Sequence, residues 1–537
     1  MTTVQYHRAP ANNLSLLSKA TLQIILLLTL LQRQHIVLVA MGSSSAASES
    51  PSSSTTTTTT TTPMQLLNKE DLVLAKERVC IIGSGNWASA ISITIGNNCQ
   101  KLPFCHSSVN MYVYEEMIPL KQEGNDNGSG GAKREEKLST IINTQHENVK
   151  YLPNISLPPN IIAVPSVIDA IRGATLLIFC MPHQFLKPIL YQIRDHYHLL
   201  HPSGCRGVSL IKGMDFDTES KSPILISKLI EDTLNNGRGS GFGSGSGHDN
   251  EKSHPSSLFS CGVLMGANVA NGVAKKQICE STLATDYKYS YKNDSGSSDV
   301  LNQRTRAIFH AKEYFRIQHT TDIYGAEACG ALKNVVALGC GFVDSLYMDV
   351  NTAKEALDEG SNTKAALIRI GLLEMKRFCK LLLNGVEDDT FWQSCGIADL
   401  ITTCYSGRNY KCSKIFGYEQ RRQQEQEQQH QEQDFSTTAA LNGGGAVWDP
   451  SKCKSQWSRI ESSLLNGQKL QGTLTCQEVY LILSSRNLLR YFPLMKVIYE
   501  IAFEGKHVNR IVDGIVFVDY DGGNGSQLDH SRHRSRL

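Results

Sequence analysis

One segment, Arg78 to Ala88, constrains the fold of this chain more than any other part of its 537 residues. The apolar run RVCII leads directly into Gly83-Ser84-Gly85-Asn86-Trp87-Ala88, and a helical pattern follows. This order of strand, glycine turn and helix is the context in which G-x-G-x-x-G/A binds the pyrophosphate of a dinucleotide. The glycines permit a tight turn and a close approach to phosphate, and amide groups at the helix start face the phosphates. The segment therefore predicts a dinucleotide site, the simpler alternative being an ordinary glycine turn.

Four further apolar runs have the character of buried strands, and helical patterns separate them. They lie at residues 109–114, 175–181, 207–213 and 260–266. Continuous apolar strands that alternate with helices indicate a doubly wound parallel sheet with both faces covered. After about Thr321 the strand patterns stop, and a helical stripe with spacings of 4, 3, 4 and 3 appears at Ile368, Leu372, Met375, Cys379 and Leu382. The predicted fold class is α/β, with an N-terminal Rossmann-type sheet followed by an all-α substrate domain.

The domain organisation follows from where these patterns begin and end. We expect a targeting or disordered extension at 1–74, a nucleotide-binding domain at 75–320, a helical domain at 321–515 with a Gln/Glu-rich insert at 418–445, and a disordered tail at 516–537. Four low-complexity stretches are predicted to be surface loops, because they carry too little apolar surface to offset the entropy of ordering. These stretches are Gly124–Gly131, Asn235–Gly247, Thr285–Gln303 and Glu419–Asp434.

Charge and cysteine content exclude some classes of protein. The 53 Lys and Arg residues nearly balance 51 Asp and Glu residues, so the net charge of +2 does not mark a nucleic-acid binder. The 15 cysteines include no C-x-x-C pair, which argues against a disulfide framework and a structural zinc site. We therefore expect no metal, and a reducing compartment for the folded part.

The two ends of the chain carry conflicting targeting signals. The apolar stretch Ala20–Leu31 is short for a membrane-spanning helix and fits the core of a signal peptide. Residues 43–63 are almost wholly Ser, Thr and Ala, as in a transit peptide or a disordered extension. The terminal Ser535-Arg536-Leu537 is a variant of a peroxisomal address. The sequence thus leaves the compartment open.

Ligands of a doubly wound sheet bind beyond the carboxyl ends of its strands, so the residues there are site candidates. Phe185, in the segment PHQF, is placed to lie against a nicotinamide or ribose, or is an ordinary core residue. Lys212 is placed to meet an anion, although lysines often extend past a strand into solvent. Small residues surround Asn268 at 266–270, as a close cofactor approach requires, but a plain turn explains them equally.

Three residues of the helical half are candidates for a polar site. Lys333 lies in the apolar helical segment 330–338, where an unpaired ammonium costs several kcal/mol, unless it extends from a helix end. Asp399 precedes another apolar run, where it is either a site residue or a helix cap. Arg408, in a glycine-containing turn, is suited to bind a phosphate. With the polar loop 466–472, they predict a cleft of cations, amides and one carboxylate facing the dinucleotide.

The choice of cofactor depends on the end of the second predicted strand. Glu115 and Glu116 follow that strand, about 30 residues past Gly85 and somewhat beyond the usual spacing. A carboxylate there would bond a ribose hydroxyl and repel a 2′-phosphate. This favours NAD(H) over NADP(H), the alternative being two solvated loop charges.

Nine segments occur in one order: GSGNWASAI, IINTQHENVKYLP, PHQF, LIKG, MGANVA, CGALKNVVALG, NTKAALIRIGLLEM, SCGIADLITTCYSGRN and LLNGQKLQG. Together they closely resemble the eukaryotic NAD-dependent glycerol-3-phosphate dehydrogenases, from about Arg78 to about Gly505. The resemblance implies reversible reduction of dihydroxyacetone phosphate by NADH to sn-glycerol 3-phosphate, with NAD(H) as cofactor. It also implies a homodimer and the cytosol as default location. We expect no nucleic-acid partner and no stable membrane insertion of the mature domain.

The resemblance implies roles for individual residues as well. Lys333 is similar to the family's catalytic lysine, which protonates the carbonyl oxygen, and Asp399 to its polar partner. Asn268 and Thr403 match residues that orient these groups. The implied substrate-binding residues are Lys212, Arg408 and Asn409. The implied cofactor-binding residues are Gly83, Ser84, Gly85, Asn86, Trp87, Ala88, Phe185, Ala270, Arg408, Lys469 and Gln471.

Two other functions remain as alternatives: a related phospho-sugar or β-hydroxyacid dehydrogenase, and a catalytically silent NADH-binding regulatory protein. A silent protein is expected to lose Lys333, Asp399 or Arg408, and all three are present. One departure from the family pattern is Ser406, where many members have Gly just before the turn that carries Arg408. The first 75 residues are too short for the fused phosphatase domain of some algal relatives and contain no D-x-D pair, so the expected product is glycerol 3-phosphate.

Overall fold

The computed structural model describes residues 75–119, 135–217, 219–236, 258–287, 295–352, 359–433, 449–465 and 470–518. All of them belong to the unit Asn68–Leu537. Several sequence predictions concern residues outside these ranges: the targeting segments, the stretch at 124–131, most of the stretch at 235–247, Lys469 and the tail from residue 519.

Fourteen β-strands lie within the described residues. They are β1 (Val79–Ile82), β2 (Val109–Tyr112), β3 (Met117–Pro119), β4 (Glu135–Lys137), β5 (Glu147–Asn148), β6 (Leu152–Ser156), β7 (Ile161–Val164), β8 (Leu176–Phe179), β9 (Arg206–Ser209), β10 (Met214–Asp217), β11 (Ser222–Leu225), β12 (Cys261–Met265), β13 (Cys279–Ala284) and β14 (Phe315–Thr320).

Eight of these strands form one sheet in the order β14-β13-β12-β9-β8-β1-β2-β7. Strand β1 lies between β2 and β8 and runs parallel to both, as the doubly wound prediction requires. The pairing changes at one place only in this sheet: β13 runs antiparallel to β12 and parallel to β14. The three remaining strand pairs, β3–β4, β5–β6 and β10–β11, are antiparallel ribbons beside the sheet.

Fourteen α-helices accompany these strands in the described residues. They are α1 (Asn86–Lys101), α2 (Leu138–Gln145), α3 (Val167–Ala170), α4 (Leu186–Asp195), α5 (Ile226–Asn236), α6 (Ala270–Ala274), α7 (Ser295–Phe309), α8 (Ile323–Leu346), α9 (Ser361–Leu382), α10 (Asp399–Ser406), α11 (Arg408–Gln433), α12 (Pro450–Leu464), α13 (Gln471–Ser485) and α14 (Pro493–Phe503).

The side chains of β1 alternate between two apolar cores, one on each face of the sheet. Val79 and Ile81 belong to the core that includes α1 and α7. Cys80 and Ile82 belong to the core that includes α4 and α5. The prediction that helices cover both faces is therefore confirmed, and it explains why every residue of β1 is apolar and buried.

The described residues after Thr320 form no further strand and pack around α8. An apolar window of this helix has a mean hydropathy of 1.3 and is entirely buried, so its apolar surface serves as the centre of the helical half. The predicted stripe lies on α9, where Ile368, Leu372, Met375 and Cys379 are buried against α8. All fifteen cysteines are free thiols, and fourteen of them are buried.

The prediction that Thr285–Gln303 is a surface loop is wrong at both of its ends. Tyr287 is 1% exposed, and residues from Ser295 onward form α7, in which Leu301 is buried. The polar residues are accommodated because they bond to one another: the Thr285 hydroxyl donates to Asn302 Oδ1 at 2.7 Å. Composition misled here because internal partners make burial of polar groups tolerable.

The Glu419–Asp434 stretch is likewise not a loop, since α11 continues through it to Gln433. Glu and Gln are good helix formers, so a stretch without apolar residues still propagates a helix that is anchored at its start. Gln420 provides such an anchor. Its side chain is fully buried and bonds to the backbone at Val508 and Lys506, at 2.8 and 3.1 Å.

A buried ion pair joins the chain just before β1 to the start of β9. Arg206 donates to both carboxylate oxygens of Glu77, at 3.0 and 3.1 Å, and both side chains are almost wholly buried. The Thr175 hydroxyl donates to the same carboxylate at 2.6 Å, and Arg304 of α7 lies 3.7 Å away. Burial by itself would raise the pKa of Glu77, but the two arginines and Thr175 lower it overall.

We expect Arg206→Met to lower the free energy of unfolding by about 3–5 kcal/mol, because it leaves a buried carboxylate without its main partner. Arg172→Met is the control, since Arg172 and its partner Asp169 are both about 60% exposed. That change should cost under about 1 kcal/mol. Chemical denaturation of both variants measures the difference, and equal effects would contradict the role given to Glu77.

Candidate functional site

The glycine turn has the geometry that its sequence predicts. Gly83 has φ +127°, and a Cβ atom there would lie 2.2 Å from the carbonyl oxygen of Cys180, which directly follows the neighbouring strand β8. Gly85 precedes α1 in extended conformation, and a Cβ atom there would have nothing within 4 Å. The backbone at Gly85 therefore borders open space at a helix N-terminus. This is where a pyrophosphate is bound in such folds, so the residues present fit a dinucleotide.

Side chains from elsewhere hold the turn in place. Asn148 donates to the backbone oxygen of Ser84 at 2.8 Å and to the Ser89 hydroxyl at 2.9 Å. Asn86 donates to the backbone oxygen of Tyr151 at 2.6 Å. Trp87 packs against Phe315, with ring centroids 6.4 Å apart. The fully buried Ala88 gives α1 its close approach to the sheet.

The two carboxylates after β2 both have partners within the chain. Glu115 accepts from the backbone N–H and the hydroxyl of Ser139, near the start of α2, at 3.2 and 2.7 Å. Glu116 accepts from the Tyr151 hydroxyl at 2.7 Å and pairs with Lys150. The bond from either carboxylate to a ribose hydroxyl stays a prediction.

A cluster of two lysines and one carboxylate lies between the two halves of the protein. Lys333 is 4% exposed near the middle of α8 and forms a short ion pair with Asp399 Oδ1. Its ammonium also donates to the Thr403 hydroxyl at 2.6 Å. Lys212, just past β9, donates to Asp399 Oδ2 at 2.8 Å and to the carbonyl oxygen of Gly266 at 2.9 Å. One carboxylate thus holds a cation from each half.

This arrangement decides between the alternatives that the sequence left open. Lys333 does not reach out from a helix end, and the head of Lys212 is not directed to solvent alone. Asp399 is not the N-cap of α10, which is Ala398, and its two carboxylate oxygens each bind a lysine. A single π-helical turn, Ser394–Ala398, precedes Asp399 and delivers it to the two ammonium groups.

The buried environment of Lys333 makes its ammonium group more acidic. Burial lowers the pKa of Lys333 to about 7; the negative charge of Asp399 opposes this effect, and the positive charge of Lys212 adds to it. A lysine with such a pKa exchanges its proton readily at neutral pH, which is the property of a general acid–base group.

Asn268 lies at the sheet edge next to this cluster. Its amide donates to the backbone oxygen of Glu280 at 3.0 Å, and its Oδ1 accepts from the Ser281 hydroxyl at 3.0 Å. The Gly266 carbonyl, which binds Lys212, also accepts from the backbone N–H of Asn268 at 2.8 Å. The close cofactor approach at these small residues stays a prediction.

Arg408 and Asn409 begin α11, directly after the turn at Gly407. The Arg408 side chain is exposed, whereas Asn409 is buried. Asn409 donates to Asn334 Oδ1 at 2.8 Å and accepts from the backbone N–H of Gly472 at 2.9 Å. The hydroxyl of Ser406 donates back to the Thr402 carbonyl at 2.9 Å, in the last turn of α10.

Two of the predicted cofactor residues, Phe185 and Gln471, come from different halves of the protein and lie near the same short helical turn. Phe185 is 56% exposed in the short helical turn His183–Phe185. Gln471, the first residue of α13, lies 3.0 Å from the ring nitrogen of His183. Ala270 starts α6 and is half-buried, beside the turn that carries Asn268.

The comparisons with known proteins agree with this geometry. Residues 78–255 match the family model described as NAD-dependent glycerol-3-phosphate dehydrogenase N-terminus, and residues 322–443 match the C-terminus model of the same family. The human protein named "Glycerol-3-phosphate dehydrogenase [NAD(+)], cytoplasmic" is 37% identical over 440 residues, which cover 82% of this chain and 97% of the human one.

This chain belongs to the NAD-dependent glycerol-3-phosphate dehydrogenase family.

Solved structures of family members show the same fold. Glycerol-3-phosphate dehydrogenase of Saccharomyces cerevisiae matches with a TM-score of 0.60 and 32% identity, covering 82% of this chain and 99% of the yeast one. The structure titled DsGPDH of Dunaliella salina matches with a TM-score of 0.59 and 32% identity over 83% of this chain. This chain spans only 61% of the algal protein.

Sequence reasoning missed three residues that shape this family's site in the present chain. Asn148 holds the glycine turn, Asn334 orients Asn409, and His183 contacts Gln471. All three lie inside segments that carried the family resemblance, but only the structure shows these partners, which are 59 or more residues away in the chain. The resemblance was the available signal, since none of these residues stands out by its chemistry.

Gly85→Ala should leave this family member folded but weaken NADH binding by about tenfold or more, because the new methyl group occupies the space beside the backbone that a pyrophosphate needs. Its backbone angles suit alanine. Fluorescence titration with NADH and chemical denaturation measure the two properties. Gly83→Ala is the contrast and should lose stability, since its Cβ meets the Cys180 carbonyl. Unchanged NADH affinity in Gly85→Ala would place the dinucleotide elsewhere.

Proposed function

We propose that this protein is an NAD-dependent glycerol-3-phosphate dehydrogenase, which reduces dihydroxyacetone phosphate to sn-glycerol 3-phosphate and catalyses the reverse reaction. The observation that carries the proposal is the buried Lys333 ammonium, paired with Asp399 beside Lys212. A carbonyl reductase needs such a group, because hydride transfer builds negative charge on the carbonyl oxygen.

In this mechanism NADH supplies the hydride and Lys333 supplies the proton. An ammonium has three N–H donors, and Asp399 and Thr403 accept from Lys333, which leaves one donor for the carbonyl oxygen. Lys212 likewise donates to Asp399 and Gly266, which leaves its third N–H for the substrate. The two cations stabilise the developing oxyanion, and Lys333 then protonates it.

Arg408 and Asn409 bind the substrate phosphate in this proposal. The guanidinium is suited to pair with two phosphate oxygens. Asn409 uses one amide N–H for Asn334, so its second N–H is available for the phosphate. Holding the phosphate orients the carbonyl toward Lys333, so that binding energy from a remote group contributes to turnover.

The cofactor binds along the glycine turn, with Gly83 to Ala88 around the pyrophosphate. Phe185, Ala270, Arg408, Lys469 and Gln471 contact the remainder of NAD(H), and Asn268 helps to orient the reacting groups. Support for these assignments comes from the open space at Gly85 and from Phe185, Asn268 and Ala270, which follow the parallel strands β8 and β12 of the sheet.

The cellular setting and the organisation of the chain are further proposals. The human relative is named cytoplasmic, which supports the cytosol as the default location of this protein. The nucleotide-binding domain corresponds to residues 75–320 and the helical substrate domain to 321–515, in a homodimer.

Purified full-length protein should oxidise NADH when dihydroxyacetone phosphate is added, and should turn over little NADPH. The loss of absorbance at 340 nm measures both reactions. Lys333→Ala should lower turnover by about 10² to 10⁴, because it removes the proton donor, and should leave NADH affinity nearly unchanged. The control is Lys376→Ala, which removes an exposed surface lysine of α9. NADH binding without turnover in the unmodified protein would favour the silent regulatory alternative.

The pH profile should follow the titration of Lys333. Because its pKa is about 7, kcat/KM for carbonyl reduction should fall as pH rises above about 7, where the proton donor is lost. Oxidation of glycerol 3-phosphate needs the neutral amine, so its kcat/KM should rise over the same range. Asp399→Asn removes the charge that favours the ammonium and should move the titration to lower pH. If the pH at which kcat/KM falls is the same in Asp399→Asn as in the unmodified protein, a group other than Lys333 titrates.

A further inference from the structure

We propose that Lys364 is a positioning residue for substrate phosphate, because its ammonium lies between the rings of Tyr405 and Tyr410, which flank the turn carrying Arg408 and Asn409. The proposal rests on the assignment of that turn to the phosphate. It adds a residue from another helix, α9, which has no place in the mechanism described above.

The cluster around Lys364 brings four helices together. Lys364 lies in the first turn of α9 and is 4% exposed. Its Nζ lies 4.1 Å from the ring centroid of Tyr405 on α10 and 4.3 Å from that of Tyr410 on α11. It also pairs with Asp344 Oδ2 on α8 at 2.7 Å. The Tyr410 hydroxyl donates to the same Asp344 oxygen at 2.6 Å, so the carboxylate neutralises the cation and holds one of the rings.

The two tyrosines of this cluster lie directly before and directly after the proposed phosphate turn. Tyr405 is the second-last residue of α10, and Tyr410 is the third residue of α11. Only four residues separate them, Ser406 to Asn409, and these include both proposed phosphate-binding residues. A single buried cation therefore contacts the chain immediately before and immediately after the phosphate turn.

The charge of Lys364 matters because little else fixes the first of these rings. The Tyr405 side chain is 56% exposed, so core packing restrains it only on one side. A desolvated ammonium over a tyrosine ring is attracted more strongly than an exposed one. On the other side of the turn, α11 lies so close to α8 that a Cβ at Gly341 would be 2.4 Å from the Tyr410 backbone oxygen. The second anchor is thus rigid, and the first depends on Lys364.

The same cluster has a simpler interpretation, in which Lys364 and Asp344 only join α8 to α9. That role would affect stability but not substrate affinity. Lys364→Met keeps the length of the side chain and removes its charge, so the two roles predict different kinetics for one variant.

Steady-state kinetics with NADH tests the proposal. Lys364→Met should raise KM for dihydroxyacetone phosphate about tenfold, with kcat within about twofold and the dissociation constant of NADH unchanged. Inhibition by inorganic phosphate, as a probe of the turn itself, should weaken by the same factor. Lys364→Arg keeps a cation and should restore much of the affinity. Lys376→Met, on an exposed lysine of the same helix, should leave all of these values unchanged.

Tyr405→Leu provides a second route that does not alter the buried ion pair. It removes a half-exposed ring and should raise KM about threefold at nearly unchanged stability, whereas Tyr405→Phe keeps the ring and should not. These variants maintain the test even if Lys364→Met does not fold.

Arg408→Ala, measured in parallel, separates this proposal from the proposed function. If Arg408→Ala raises KM strongly while Lys364→Met and Tyr405→Leu leave KM unchanged, the cluster is only structural and the positioning role is overturned. If Arg408→Ala also leaves KM and phosphate inhibition unchanged, the phosphate site itself lies elsewhere, and both proposals fail at that point.

Discussion

The buried ammonium of Lys333 is the constraint on which the rest of this structure depends. A charge on an apolar helix of 24 residues at the centre of a domain is destabilising unless another element neutralises it. That element is Asp399, which a π-helical turn brings to the centre of the molecule instead of leaving it at a helix cap. Burial lowers the pKa of this lysine to about 7 against the opposing charge of Asp399, so the burial that requires a partner also produces an acid–base group.

Asp399 does more than neutralise one lysine, because its second oxygen binds Lys212 from the nucleotide-binding half. The two halves therefore meet at one carboxylate. On one side lies the glycine turn at the carboxyl edge of the parallel sheet, and on the other lies the turn at Arg408 between two helices. In the proposed mechanism these elements hold the dinucleotide, the proton donor and the substrate phosphate, which reduction of a phosphorylated ketone brings together.

The polar inserts show where composition was a poor guide. Residues 295–303 and 419–433 form helices although their sequences lack apolar stripes. In each case one buried residue contributes to the packing: Leu301 in the first stretch and Gln420 in the second. Average polarity could not reveal them, because the energy of burial depends on whether each polar group finds a partner, which is a property of the folded chain.

The sequence by itself determined the strand, turn and helix at Arg78 to Ala88, the change from alternating strands to helices after about Thr321, and, through resemblance, the family. These features are local or recur in order, so periodicity and motif spacing are sufficient to read them. Only the tertiary structure decided that Asp399 binds two lysines, that β13 and β14 run antiparallel to the rest of the sheet, and that Lys364 contacts tyrosines on both sides of the turn at Arg408. Those contacts join residues between 17 and 187 positions apart, and such separations close only when burial of the apolar cores brings separate elements together.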